Sequence, residues 1–190
     1  MLLSIPLGLL LAQLRLSEVG LVRRLSTAWV EIFRSTPLLL QLFWVYYVLP
    51  SLFGLKLPAF ATALVCFVLN VSAFNSETFR AGIASIPRNQ TAAGLALGMT
   101  RWQVSLRIIV PQATRRVIPP LTSTWVALFQ DTAIVSFIGV SDMSFNAITL
   151  RSQTFQNLEV LTALAVGYLI LGYPQAKIAD AIYRRLRVRV

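Results

Sequence analysis

The chain has 190 residues, 56% of them apolar and only 13% charged, with a formal net charge of +10 and no histidine. That is too apolar for an ordinary water-soluble domain and too short for several domains. With one cysteine and no Gly-x-x-x-x-Gly-Lys-Ser/Thr phosphate loop, the sequence excludes an internal disulfide, histidine-bearing zinc or catalytic centres, and ATP binding by a phosphate loop.

A single membrane domain over residues 1–190 is expected, all-α, because only helix or closed barrel satisfies backbone N–H and C=O groups inside lipid. Leu2 to Leu14 is apolar but contains Pro6 and falls short of the ~20 residues that cross a ~30 Å hydrocarbon layer. It reads as a shortened first span. A signal peptide fits worse, since no basic residue precedes it and no clear small-x-small cleavage site follows. Further spans are expected over Leu38 to Leu55, Pro58 to Phe74, Val117 to Val140 and Leu158 to Tyr173. The expectation is a polytopic helical bundle of about five transmembrane helices.

Between the third and fourth of these spans lies a basic segment, 77–116, that is poor in bulk at its centre. Ala92, Ala93, Gly94 and Ala96 give a short helix whose backbone another protein can approach closely. Gly98 suits the left-handed position that ends a helix. Thr100 and Gln103 have the spacing of a capping box that starts the next one. The product is a helix-turn-helix elbow, with Trp102 expected to clamp it against the helices near the membrane. Pro119 and Pro120 sit at the start of the fourth span, where helices tolerate proline.

Intramembrane polar residues carry what function remains. Thr62, Cys66, Asn70, Ala73 and Glu77 form one stripe at helical spacing in the third span, and Ser123, Thr124, Ala127, Gln130 and Asp131 form another in the fourth. Two readings stay open for Asn70, Ser123 and Thr124: helix packing with cross-helix hydrogen bonds, or a shared translocation path. Asp131 lies roughly 21 Å of helix beyond Arg116. It can meet a substrate ammonium group, an Arg of a neighbouring subunit, or a buried partner within this chain. Cys66 reads as a small buried apolar residue. Glu77 and Arg80, three apart, read as a structural pair with each other or with the elbow.

Charge orients the chain. The stretches Arg15 to Pro37, Glu77 to Arg116 and Lys177 to Val190 hold every Lys and Arg except Lys56 and Arg151. The positive-inside tendency puts those stretches in the cytoplasm, the N-terminus outside and the C-terminus inside. The basic tail Arg184 to Arg189 reads as a stop-transfer anchor drawn to anionic membrane lipid. Topology thus accounts for the positive charge, and nucleic acid, which needs a basic face on a soluble body, is not an expected partner.

The order Phe33-Arg34-Ser35-Thr36-Pro37-Leu38-Leu39, Gln41-Leu42-Phe43, Ile86-Pro87, the run Thr91 to Gly98, Thr100-Arg101-Trp102-Gln103, Pro111-Gln112-Ala113 and Asp131-Thr132-Ala133 resembles the permease subunits of ATP-binding-cassette importers. The likeness is to those for polar amino acids, the His/Glu/Gln/Arg/opine type, and covers roughly Arg23 to Val140. It implies that the elbow is the coupling segment seated on an ATPase, through Ala92, Ala93, Gly94, Gly98, Thr100 and Trp102. It implies as partners a cytoplasmic ABC ATPase dimer, a second permease and an extracytoplasmic solute-binding protein. ATP would be bound by the ATPase, so this chain has no cofactor, metal or catalytic residue of its own. That family usually has Glu-Ala-Ala where Ala92-Ala93-Gly94 stand, so the acidic docking contact is absent here. The alternatives are a non-transporting scaffold or channel subunit, which would need no elbow, and a decayed permease paralogue; a membrane enzyme is disfavoured by the lack of a catalytic pair.

Overall fold

A computed structural model describes residues 1–186; residues 187–190, the end of the basic tail read as a lipid anchor, lie outside the described residues. Helices succeed one another with no strand among the described residues: α1 Ser4–Arg15, α2 Gly20–Ser35, α3 Leu38–Phe53, α4 Ala59–Ala84, α5 Arg88–Ala96, α6 Arg101–Ile138, α7 Met143–Thr154 and α8 Asn157–Leu186. Three of them, α4, α6 and α8, are long and apolar enough to cross a membrane. A fourth crossing is reached only by joining α2 to α3, which are bent by 103° at their junction. About five spans are expected; α1, with 12 residues, and α3 taken alone are too short to qualify by length.

The expected spans match α3 closely but underestimate the others. Helix α4 continues past Phe74 to Ala84, α6 begins at Arg101 rather than Val117, and α8 runs on to Leu186. Helices α2 and α7 were not anticipated. Helix α2 is amphipathic, with Leu21, Leu25, Trp29 and Ile32 on one exposed side, Arg24, Thr27, Glu31 and Ser35 on another, and Ser26 and Val30 buried between them. Helix α7 starts on Asp142, whose carboxylate accepts the Phe145 backbone N–H at 2.7 Å, an ordinary N-cap.

The bend between α2 and α3 follows from Pro37. Its ring disfavours helical backbone at the preceding residue, and Thr36 is extended with φ −105° and ψ 131°. Carbonyls freed at the end of α2 must then find donors. Gln41 Nε2 donates to Phe33 O and to Thr36 O, both at 2.9 Å, and Asn70 Nδ2 donates to Phe33 O at 3.0 Å and to Gln41 Oε1 at 3.3 Å. Two other prolines leave a different mark. The π-helical turns Trp44–Val48 and Ser105–Ile109 each end shortly before a proline, Pro50 and Pro111. Proline lacks an N–H and crowds the carbonyl four residues back, and a widened turn relieves both problems.

Helix α4 is the hub, touched by α1, α2, α3 and α6. Its outer part packs Ala63 and Cys66 against Leu42 of α3 and against Val135 and Ile138 at the end of α6. Its middle packs Ala73 against Leu11 of α1 and Val30 of α2, and its far part packs Phe79 against Ala12 and Val117. Close approach rests on small residues, as helix association in lipid requires. A Cβ on Gly8 would lie 2.8 Å from Asn75 Cβ and 3.1 Å from Ser72 O, and one on Gly82 would overlap Val117 Cγ2. Helix α8 flanks α6, where Phe129 meets Tyr168 with ring centroids 5.8 Å apart.

Gly82→Ala is therefore expected to destabilise the bundle by about 1–3 kcal/mol through overpacking. Most of that loss should return in Gly82→Ala/Val117→Ala. Thermal unfolding of the detergent-purified chain checks both.

Candidate functional site

The elbow is built largely as its residues dictate. Helix α5 begins after Pro87, which fixes the entering backbone, and ends in a Schellman turn: Gly98 is left-handed at φ +76°, Met99 N–H donates to Gly94 O at 3.1 Å and Gly98 N–H to Leu95 O at 3.0 Å. Thr100 then caps α6. Its Oγ1 accepts the Gln103 N–H at 3.2 Å while Gln103 Oε1 accepts the Thr100 N–H at 2.9 Å, a complete capping box.

Two expectations about the elbow change. Gly94 does not offer its backbone to a partner, because it is buried by this chain, and a Cβ there would lie 2.7 Å from Val104 Cγ2 and 2.9 Å from Ile108 Cδ1. Its missing side chain closes α5 onto the start of α6. Trp102 clamps nothing, being 71% exposed, because the capping box turns it away from the bundle. The outward face is instead Ala92, Ala93, Leu95, Leu97 (82% exposed), Trp102 and Leu106. An exposed apolar patch of that kind marks a contact with another protein or with the membrane.

The two polar stripes do not share a surface within the chain. Thr62, Cys66, Asn70 and Ala73 are buried in the contacts of α4 with α1, α2 and α3. Asn70, a translocation-path candidate, holds the α2–α3 bend through Phe33 O, so packing is the role its geometry gives it. Gln41, its partner in that bracket, was read only as part of a family pattern; its place one turn beyond Pro37 was the available signal. On α6 the arrangement is opposite. Ser123, Gln130 and Asp131 are exposed and Thr124 is half-buried. The hydroxyls of Ser123 and Thr124 bond back to Pro119 O at 3.4 Å and Pro120 O at 3.1 Å. The Asp131 carboxylate forms no ion pair and no hydrogen bond among the described residues.

Glu77 does more than pair with Arg80. Arg15 Nη1 donates to its Oε2 at 2.7 Å, Arg80 binds its Oε1, and Arg34 Nη1 stands 3.7 Å from Oε2. One carboxylate thus ties α1, α2 and α4 together. The Arg15 side chain is only 10% exposed, so its charge depends on this partner.

The sequence profile described as "Binding-protein-dependent transport system inner membrane component" matches residues 4–190. The chain belongs to this family. The permease is 37% identical to the L-cystine transport system permease protein TcyB of Bacillus subtilis over 181 residues, 95% of this chain and 77% of that relative. It is 31% identical to the glutamine transport system permease protein GlnP of Escherichia coli over 186 residues, 97% of this chain and 85% of that relative. Among solved structures, an amino acid ABC transporter crystallised with histidines superposes with a TM-score of 0.91 at 29% identity, covering 97% of this chain and 86% of that one. The chain is thus the multi-pass inner-membrane subunit of an ATP-binding-cassette importer, a transporter component whose ATP hydrolysis resides in a separate subunit.

Gly94→Leu is expected to force α5 off α6 and to abolish retention of the ATPase on the purified permease. Ser152→Ala, exposed on α7 and away from the elbow, should leave retention unchanged. Glu77→Gln should destabilise the chain by roughly 1–3 kcal/mol in thermal unfolding, below the ~3–5 of a fully buried pair because Glu77 keeps 24% of its side chain exposed.

Proposed function

We propose that this permease imports polar amino acids as one half of a two-permease translocation path. The observation that carries the reading is the exposed Ser123–Gln130–Asp131 face of α6. An ionisable group within a membrane-spanning helix is costly against lipid and is normally covered by protein or water. A second permease, identical or homologous, supplies the cover and leaves a hydrated seam between the two chains. Asp131 then faces the ammonium group of the solute, with Gln130, Ser123 and Thr124 beside it. The names of the relatives, which concern cystine and glutamine, support an amino-acid cargo.

A cytoplasmic ABC ATPase dimer docks on the elbow through Ala92, Ala93, Leu97 and Trp102, and holds the ATP; this chain needs no cofactor. Gly98 and Thr100 shape that surface rather than touch the partner, and Gly94 holds it closed. With Ala92 in place of the usual Glu, the contact is apolar. The positive-inside tendency supports an outside N-terminus and an inside C-terminus. An extracytoplasmic solute-binding protein then meets the opposite end, near Lys56 and α7.

The test is uptake by cells that lack their own permease, supplied with this chain, its ATPase and its binding protein. Asp131→Asn should lower uptake about tenfold or more, the scale of losing a charged hydrogen bond worth ~1.5–3 kcal/mol, while ATPase retention stays intact. Leu97→Asp should lose ATPase retention with the permease still in the membrane. Uptake by Asp131→Asn at the parental rate would remove the substrate role.

A further inference from the structure

We propose that α2 lies in the membrane surface and, with Arg34 and Arg80, forms a binding site for the headgroup of an anionic phospholipid. The first support is direction. Helix α3 leaves α2 at 103°, so if α3 crosses the bilayer, α2 runs nearly parallel to its plane. It does so beside Ala73 to Glu77 of α4, at the level of the cluster of arginines around Glu77.

The faces of α2 match that placement. Leu21, Leu25, Trp29 and Ile32 are exposed on one side, uncovered by any of the described residues. Ser26 and Val30 are buried against the bundle, and Arg24, Thr27, Glu31 and Ser35 occupy a third, polar side. A helix with an exposed apolar side, a polar side, an excess of Arg23, Arg24 and Arg34 over Glu31 and an interfacial Trp lies in a headgroup layer.

Charge selects the lipid. Three guanidinium groups surround the single carboxylate of Glu77, leaving an excess of positive charge. Arg15 is nearly buried and takes the carboxylate at short range, which leaves Arg34 and Arg80 as the two exposed members of the three. Arg34 makes no hydrogen bond among the described residues and leans over the exposed ring of Phe74, 5.6 Å from its centroid. Its donors, and those of the half-exposed Arg80, are available to a phosphodiester. Beside them, Ile32, Leu40, Trp44, Val45 and Leu69 line a groove of about 400 Å³ at the α2–α3 bend, almost wholly apolar and open to an acyl chain. A protein partner would need to be apolar and anionic in the same stripe, which a phospholipid is by constitution.

The test uses the full chain with Trp44, Trp102 and Trp125 changed to Phe, so that Trp29 alone reports. It is placed in phosphatidylcholine nanodiscs holding either brominated phosphatidylglycerol or brominated phosphatidylcholine at equal mole fraction. The phosphatidylglycerol should quench Trp29 as though enriched several-fold over its bulk fraction. Arg34→Gln should cut that enrichment roughly fivefold, the equivalent of ~1 kcal/mol for one basic residue at the surface. Arg151→Gln, on α7, should leave it unchanged. Should Arg34→Gln fail to fold, Arg80→Gln and native mass spectrometry of lipid retained by the parent chain read the same preference.

Equal quenching by the two lipids overturns the proposal. So does the absence of quenching, which would mean that Trp29 and the apolar side of α2 do not lie against lipid. Loss of the preference in millimolar inorganic phosphate also overturns it, by showing a site for free anions. Because Trp29 reports lipid from whichever leaflet it faces, failure here is distinct from failure of the proposed orientation or cargo.

Discussion

Glu77 is where the fold is tied, because the first, second and fourth helices each depend on its carboxylate for the charge they bring inward. Arg15 ends α1, Arg34 ends α2 and Arg80 lies one turn along α4. Each would be costly near hydrocarbon without a counter-charge, and the three converge on one. The convergence also sets where α2 crosses α4, and so where the chain must turn outward into α3. Pro37 makes the turn, and the amides of Gln41 and Asn70 make it tolerable in lipid by taking up the carbonyls it frees.

The elbow was readable because each of its devices is local. A left-handed glycine, a Thr-x-x-Gln box and a Pro at a helix start act within a few residues, and all three stand where spacing put them. The α4 and α8 spans were readable as apolar runs, but their ends were not. The apolar run of α4 is interrupted by polar residues such as Asn75, which is buried against α1, whereas backbone hydrogen bonding carries the helix onward past them. For the same reason α6 was cut short at Val117, although Arg101 to Arg116 is helix with a charged surface.

Helix α2 was missed because its arginines, spread along the segment, masked a period that is clear once the apolar side is taken alone. Asn70 and Asp131 show a different limit. Both are polar residues at helical spacing in apolar helices, and nothing local separates them. Only the packing does: α4 is enclosed by four neighbours and spends its polar groups internally, while α6 has one flank on α4 and α8 and the other bare. Gly94 carries the same lesson, since a residue without bulk marks a close approach but not which protein makes it.

The long reach of α6 connects these features mechanically. From the cap at Thr100 to Asp131 is roughly 45 Å of helix without an interruption by loop. In the proposed function a displacement of the elbow is carried along this helix toward the polar face, less whatever its π turn and its internal Pro119 and Pro120 absorb. Two places can yield. One is the π turn at Ser105–Ile109, just beyond the elbow, and the other is the 3₁₀ segment Thr132–Ile138, just beyond Asp131 and closed by left-handed Gly139. The stiff part of the rod thus ends at the charged residue, and its far end is held by Val135 and Ile138 against Leu42 and Cys66. With both ends anchored on α4 and α3, the segment free to turn is the one that carries Ser123, Gln130 and Asp131 on its bare side.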